Sequence, residues 1–348
     1  MRIGINYKNN EENRLTFLFE YGLFLAKALT IVVSIGAIIV LLVAASQKPK
    51  TSAGEVELQD LSKKLKRNKQ DFIEQTLDKK ALKAYKKAQK KDQENKVEAK
   101  AFVINFDGSS DAHEVNNLRE EITAVLQIAD KSKDSVIVNI DSGGGVVHGY
   151  GLGASQLKRI TNAEVPLTVC VDKIAASGGY MMACVANKIV AAPFSIIGSI
   201  GVIAQIPNFN KLLKKNDIDF EMITSGEFKR TLTLFGENTD KGREKFQQDV
   251  ESTHGLFKEF VQANRADIDL EKVATGEYWF ASEAQKLGLV DELNTSDDYI
   301  LSLLDSHQIY TVKYTSKKSL PEKLGLGVSQ AVASATNMLW TKLQDAKW

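Results

Sequence analysis

A serine hydroxyl is a weak nucleophile until a neighbouring base takes its proton, and a neutral lysine can be that base with no histidine or aspartate beside it. The chain carries the two parts in Ala175-Ala176-Ser177-Gly178-Gly179-Tyr180 and in Ser225-Gly226-Glu227-Phe228-Lys229. Small residues around Ser177 let a substrate backbone come close, and the amides of Gly178 and Gly179 stay open to a developing oxyanion. The pair points to serine–lysine hydrolysis. A free lysine has a pKa of about 10.4, so a basic Lys229 must be desolvated, with Glu227 and Arg230 turned elsewhere. Two ordinary readings stand beside the catalytic one: Ser177 as the cap of a following helix, and Lys229 as a solvent-facing lysine. The first is compatible with catalysis, because a helix start also aims amides at an anion.

Other chemistries find less support. The formal net charge is +1, so no global field argues for nucleic acid. His113, His148, His254 and His307 show no zinc-helix spacing, and Cys170 and Cys184 sit in apolar stretches as small hydrophobes, so neither a metal nor a cofactor is expected.

The elements that must position the pair follow from patterning. Phe102–Phe106, Ser135–Ile140 and Pro166–Val171 read as buried strands, alternating with helices over Glu114–Ile128 and Gly149–Ile160. Lys188–Ala192, Ser195–Ala204 and Phe220–Thr224 can supply further strands, followed by a helix over Asp240–Ala263 and a short one within Ala281–Val290. Such alternation predicts an α/β domain with a mostly parallel sheet, whose sites gather where strands give way to helices. Two glycine-bearing turns, one ending in Ser142-Gly143-Gly144-Gly145 and one holding Ser177, sit at such junctions.

Composition divides the chain into 1–27, an apolar span at 28–46, a lysine-rich stalk at 47–100, the α/β domain at 101–300 and a tail at 301–348 with an amphipathic helix near its end. Residues 28–45 carry no charge and would run about 27 Å as a helix, close to the thickness of a bilayer's hydrocarbon. The run follows a mixed-charge segment and exceeds a signal-peptide core, so a retained transmembrane helix is expected. Lysine and arginine counts on its two sides do not set its orientation. Between Leu61 and Lys100, 13 lysines and Arg67 face six acidic residues, which reads as a solvated, partly helical stalk with lipid headgroups as the alternative contact.

Taken together, the motifs resemble the signal peptide peptidase A family of serine-lysine membrane peptidases. The resemblance runs from about Phe102 to Asn294 and rests on Asp111-Ala112-His113-Glu114-Val115, the Ser177 turn, Gly198-Ser199-Ile200-Gly201-Val202, Phe228-Lys229-Arg230-Thr231 and Gly288-Leu289-Val290-Asp291-Glu292. It implies Ser177 as nucleophile, Lys229 as general base and Ser199 as a hydroxyl that holds the lysine. The implied fold is like that of the Clp protease and crotonase group. The implied assembly is a homo-oligomer in which serine and lysine of one site come from neighbouring subunits. A peptide or unfolded-protein substrate and a periplasmic domain anchored in a bacterial inner membrane belong to the same expectation. The Gly178 amide supplies one oxyanion donor and Gly143 or Gly144 the second. Here the chain departs from the family pattern, because Gly143 stands where Ser-Pro-Gly-Gly has proline, which frees a φ angle. The competing readings are a crotonase-like acyl-CoA enzyme and a non-catalytic membrane scaffold.

Overall fold

The computed structural model describes residues 19–35, 54–92 and 98–315. Contacts divide the chain into a compact unit, Glu55–Thr315, and the remainder, in which a helix at 19–35 (α1) is described. The expected span at 28–46 therefore falls partly outside the described residues, as does the whole of the expected tail helix. Among the described residues no helix is long and apolar enough to cross a membrane.

In chain order the compact unit runs β1 (Glu55–Asp60), α2 (Leu61–Thr76), α3 (Lys79–Asp92), β2 (Lys100–Asp107), α4 (Val115–Leu126), β3 (Ser135–Asp141), α5 (Val147–Asn162), β4 (Leu167–Val171), β5 (Ile174–Ala176), α6 (Gly178–Ala183), β6 (Lys188–Ala191) and β7 (Ile196–Gly198). It continues with α7 (Asn210–Lys215), α8 (Asp240–Asn264), α9 (Leu270–Val273), β8 (Tyr278–Phe280), α10 (Ala281–Ala284), β9 (Glu292–Leu293), α11 (Ser296–Ser302) and β10 (Gln308–Thr315). Seven strands form one sheet in the order β1-β10-β2-β3-β4-β6-β9, parallel except for β1. Three more form a small second sheet, β5-β7-β8.

The near-continuous apolar runs of the central strands have a plain cause. A parallel strand covered on both faces has no solvated side to keep polar, and every residue of β4 is buried. On one face Phe102, Ile104, Val138 and Val169 pack with Leu118 and Ile122 of α4 and Leu157 of α5. On the other, Ala101, Val103, Ile137 and Cys170 meet Ile300 of α11 and Ile309. Both cysteines are buried and unbridged, and burial pushes each thiol up to about 12, out of reach as a nucleophile.

Three features differ from the sequence expectation. The sheet takes in β1 and β10, which lie outside 101–300; buried Ser62 at the start of α2 accepts the Ile309 amide at 2.8 Å, so the lysine-rich segment begins on the sheet itself. The expected strand at Phe220–Thr224 is absent: these residues form an exposed stretch without a ladder partner. Their alternation of apolar residues gives a strand pattern, yet among the described residues neither face has a core to bury it. The third is the exposure of Lys229, described below.

Candidate active site

Ser177 sits between β5 and α6 with φ 52° and ψ −119°, a conformation that costs an L residue energy and projects its side chain from a sharp strand-to-helix turn. Strain of this kind persists only where the surroundings enforce it. Here the Ser177 amide donates to the Gly198 carbonyl at 2.8 Å, and Met181 in α6 donates back to the Ser177 carbonyl at 2.9 Å. The two glycines that follow leave no room for a side chain. A Cβ on Gly178 would stand 2.3 Å from the Tyr150 ring, and one on Gly179 would stand 2.4 Å from the Ser142 carbonyl.

Backbone ladders bring three separate turns together. Ser142, just past β3, bridges to Ala175 of β5: its amide donates to the Ile174 carbonyl and its carbonyl accepts from the Ala176 amide. On its other side β5 pairs in parallel with β7, setting Ala176 against Gly198. The glycine turn therefore flanks Ser177 on one side, and Ser199, next after Gly198 and also at φ 52°, flanks it on the other. Gly144, at φ 86°, approaches so closely that a Cβ there would lie 2.8 Å from the Ser177 Cβ and 2.5 Å from the Gly178 amide nitrogen.

Ser177 and Gly178 line a cavity of about 70 Å³ with Tyr150, Met181, Val202 and Phe257, and among the described residues no charged side chain contributes to its walls. Of the residues expected to act, Ser177, Ser199, Gly178 and Gly144 are thus assembled, and Gly143 lies on the exposed side of the same turn. Lys229 is not among the cavity's residues. It lies in an exposed turn, where its amide donates to the Gly226 carbonyl, rather than in the desolvated place that the expected general-base role demands. Its neighbour Glu227 does turn away, forming an ion pair with Lys241. Near it in the chain Ile223 and Phe228 are exposed, and the Lys241 and Lys245 ammonium groups stand over the Phe228 ring.

Residues that patterning did not single out hold the site in place. Fully buried Tyr150 in α5 and buried Ser142 face each other with their oxygens 2.5 Å apart. His254 of α8 reaches the Ile200 carbonyl at 3.1 Å, beside Ser199. Arg265 grips Asp291 with two bonds of 2.9 and 2.8 Å, and Asp291 accepts the Ile189 amide, which ties the Gly288–Glu292 motif to β6. The only signal for Tyr150 was an aromatic on the inner face of a predicted helix, which is what core packing produces as well. His148, near the glycine turn, is exposed.

On the loop before α4, Asp111, His113 and Glu114 bring ligand-type atoms within 4.8 Å of one another, largely in solvent. Ser109 Oγ and the His113 ring already bond these carboxylates, at 2.6 to 3.2 Å. The Asp111 carboxyl is held down at about 2 by its hydrogen bonds to His113 and Ser109, and the His113 imidazole is raised by Asp111 first and Glu114 second.

Comparison with known proteins adds an independent line. The profile described as peptidase family S49 matches residues 159–309, and that described as peptidase family S49 N-terminal matches residues 16–157. A Haemophilus influenzae protein named "Probable protease SohB" is 48% identical over 339 residues, covering 92% of this chain and 95% of that one. A protein of the same name from Buchnera aphidicola subsp. Schlechtendalia chinensis is 46% identical over 308 residues, covering 83% of this chain and 100% of its own length. Among solved structures, a ClpP1 variant from Listeria monocytogenes superposes on 58% of this chain and 94% of its own with a TM-score of 0.37 and 13% identity, too low to assign a fold group.

Proposed function

The chain belongs to peptidase family S49, as its motifs led one to expect, and on that premise we propose that it is a serine peptidase that attacks peptide carbonyls with Ser177. The observation that carries this reading is the strained Ser177 turn beside a cavity, with the Gly178 amide at the start of a helix. Ser177 Oγ adds to the carbonyl, its proton passes to the Lys229 amine, and the ammonium so formed protonates the departing amine. Water then gives a proton to Lys229 as its oxygen adds to the acyl carbonyl, and the ammonium returns that proton to Ser177 Oγ as the carbon–oxygen bond to serine breaks. The oxyanion is held by the Gly178 amide and a second donor from the glycine turn. Because the Gly144 amide is bonded inward to Ser142 Oγ at 3.1 Å, Gly143 is the better placed of the two candidates.

Within one chain Lys229 is exposed, so it serves as a base only after something dry covers it. A second copy of the chain, docked over the exposed Lys229 turn, brings that lysine to its own Ser177, and Ser199 then orients the amine. The domain follows the Clp protease and crotonase pattern in this reading. The uncharged cavity accepts a small apolar side chain, which suits unfolded, apolar peptides such as signal-peptide remnants. Residues 28–46 anchor the enzyme in a bacterial inner membrane, and the catalytic unit faces the periplasm.

A non-catalytic scaffold also accommodates an exposed Lys229. Hydrolysis of an unfolded model protein by detergent-purified wild type, Ser177→Ala and Lys229→Ala separates the two. Cutting by wild type alone is expected. Equal cutting by Ser177→Ala removes the nucleophile, and cutting by none of the three favours the scaffold.

A further inference from the structure

The glycine turn beside Ser177 is fastened by a chain of hydrogen bonds whose direction its ends dictate. At one end the Gly144 amide can only donate, and it meets Ser142 Oγ at 3.1 Å. At the other the Ser109 carbonyl can only accept, and Tyr150 Oη stands 2.7 Å from it. Between them Ser142 Oγ and Tyr150 Oη are 2.5 Å apart. The tyrosine has one proton and its short bond to Ser109 uses it, so Ser142 donates to Tyr150 and accepts from Gly144. Ser142 Oγ also has the Gly108 carbonyl at 3.2 Å, a longer alternative.

The chain lies where it can set the oxyanion geometry. Ser142 is 1% exposed and Tyr150 is fully buried, so water does not substitute for either hydroxyl. The Tyr150 ring is fixed edge-on against Phe106, with centroids 6.3 Å apart, and its inner face limits Gly178. Gly108 leaves the space for both hydroxyls: a Cβ there would stand 2.7 Å from Ser142 Oγ and 2.7 Å from Tyr150 Oη. One tyrosine thus touches the helix start that supplies the first amide, and through Ser142 it holds the turn that supplies the second.

We propose that Tyr150, acting through Ser142, is a positioning residue that holds the Gly143–Gly144 turn at the correct distance from Ser177 and the Gly178 amide. The inference rests on Ser177 being the nucleophile.

Tyr150→Phe keeps the ring against Gly178 and removes only the hydroxyl. Since loss of a whole oxyanion donor costs about 100- to 1,000-fold in turnover, a displaced donor is expected to lower kcat at least about tenfold, with KM changed less than about threefold. Labelling of Ser177 by a fluorophosphonate should slow in proportion to kcat, because the phosphonyl oxygen uses the same amides. Ser142→Ala should show the same split, and the double variant should fall no further than either single one, as expected for links of one chain. Tyr150→Phe with wild-type kcat and labelling overturns the proposal, and so does a change confined to KM. If Tyr150→Phe does not fold, Ser142→Ala and Ser142→Thr carry the test, with Thr restoring activity and Ala not. Wild type that cuts peptides but takes no label at Ser177, with Ser177→Ala equally active, takes down the nucleophile reading and this inference together.

Discussion

Gly178 is the residue at which stability and catalysis meet. In the proposed mechanism its amide faces the oxyanion, and its lack of a side chain lets the Tyr150 ring lie against the turn. Gly178→Ala forces a methyl to within 2.3 Å of a buried ring. Overpacking of this kind costs about 1 to 3 kcal/mol, which is expected to appear in chemical denaturation together with loss of turnover. Gly151, one position past Tyr150 in α5, is the control, because nothing lies within 4 Å of a Cβ built there. Gly151→Ala is expected to stabilise the helix by about 0.5 to 1 kcal/mol and to leave activity intact. If both variants behave alike, the steric account of Gly178 fails.

At the scale of elements, the loop from Gly108 to Glu114 ties β2 to α4 and also braces the site. Its Ser110 carbonyl accepts from the Val146 amide at 2.9 Å, and its Ser109 carbonyl accepts from Tyr150. His113 closes the loop by bonding Asp111 and facing Glu114, the two carboxylates that raise its pKa. A raised imidazole contributes stability that is complete below its ordinary value of 6.5 and fades as pH rises through the higher folded value. The Asp111 carboxylate works in the opposite sense, contributing above 3.8 and losing its contribution as pH falls toward about 2. From pH 6 to 8, the pH range about 6.5 in which an imidazole titrates, the wild-type thermal midpoint is therefore expected to drop slightly relative to that of His113→Asn. A difference between the two that stays constant across that range rules out His113 as the titrating group.

The whole molecule decides whether the catalytic pair is completed. In a single chain Ser177 lines a cavity from which Lys229 is missing, and Lys229 lies in an exposed turn next to the exposed Phe228. If neighbouring copies complete each other, mixing Ser177→Ala with Lys229→Ala protein restores activity. Each mutant is expected to be inactive alone, and random assembly of equal amounts pairs an intact serine with an intact lysine at about a quarter of sites. Activity near that level is expected after the two are mixed, dissociated and reassembled. Mixtures as inactive as the separate proteins would place serine and lysine within one chain.

The α/β class, the positions of β2, β3, β4 and α8 and the tight glycine turn at Ser177 were legible from the chain alone, because each is written in local terms. Buried parallel strands need continuous apolar runs, long surface helices need periodic ones, and close backbone approach needs glycine. The strand expected at Phe220–Thr224 failed for a related reason: alternation announces a strand only if something buries one of its faces, and sequence does not say what does. Only the tertiary structure could place Ser142, Ser177 and Ser199 side by side, since ladders between distant segments set that alignment. It alone revealed the hydrogen-bond chain through Tyr150, an ordinary core aromatic until its hydroxyl is seen to meet Ser142. It also left Lys229 in solvent, because the burial a catalytic lysine needs is a property of its surroundings and not of its neighbours in the chain.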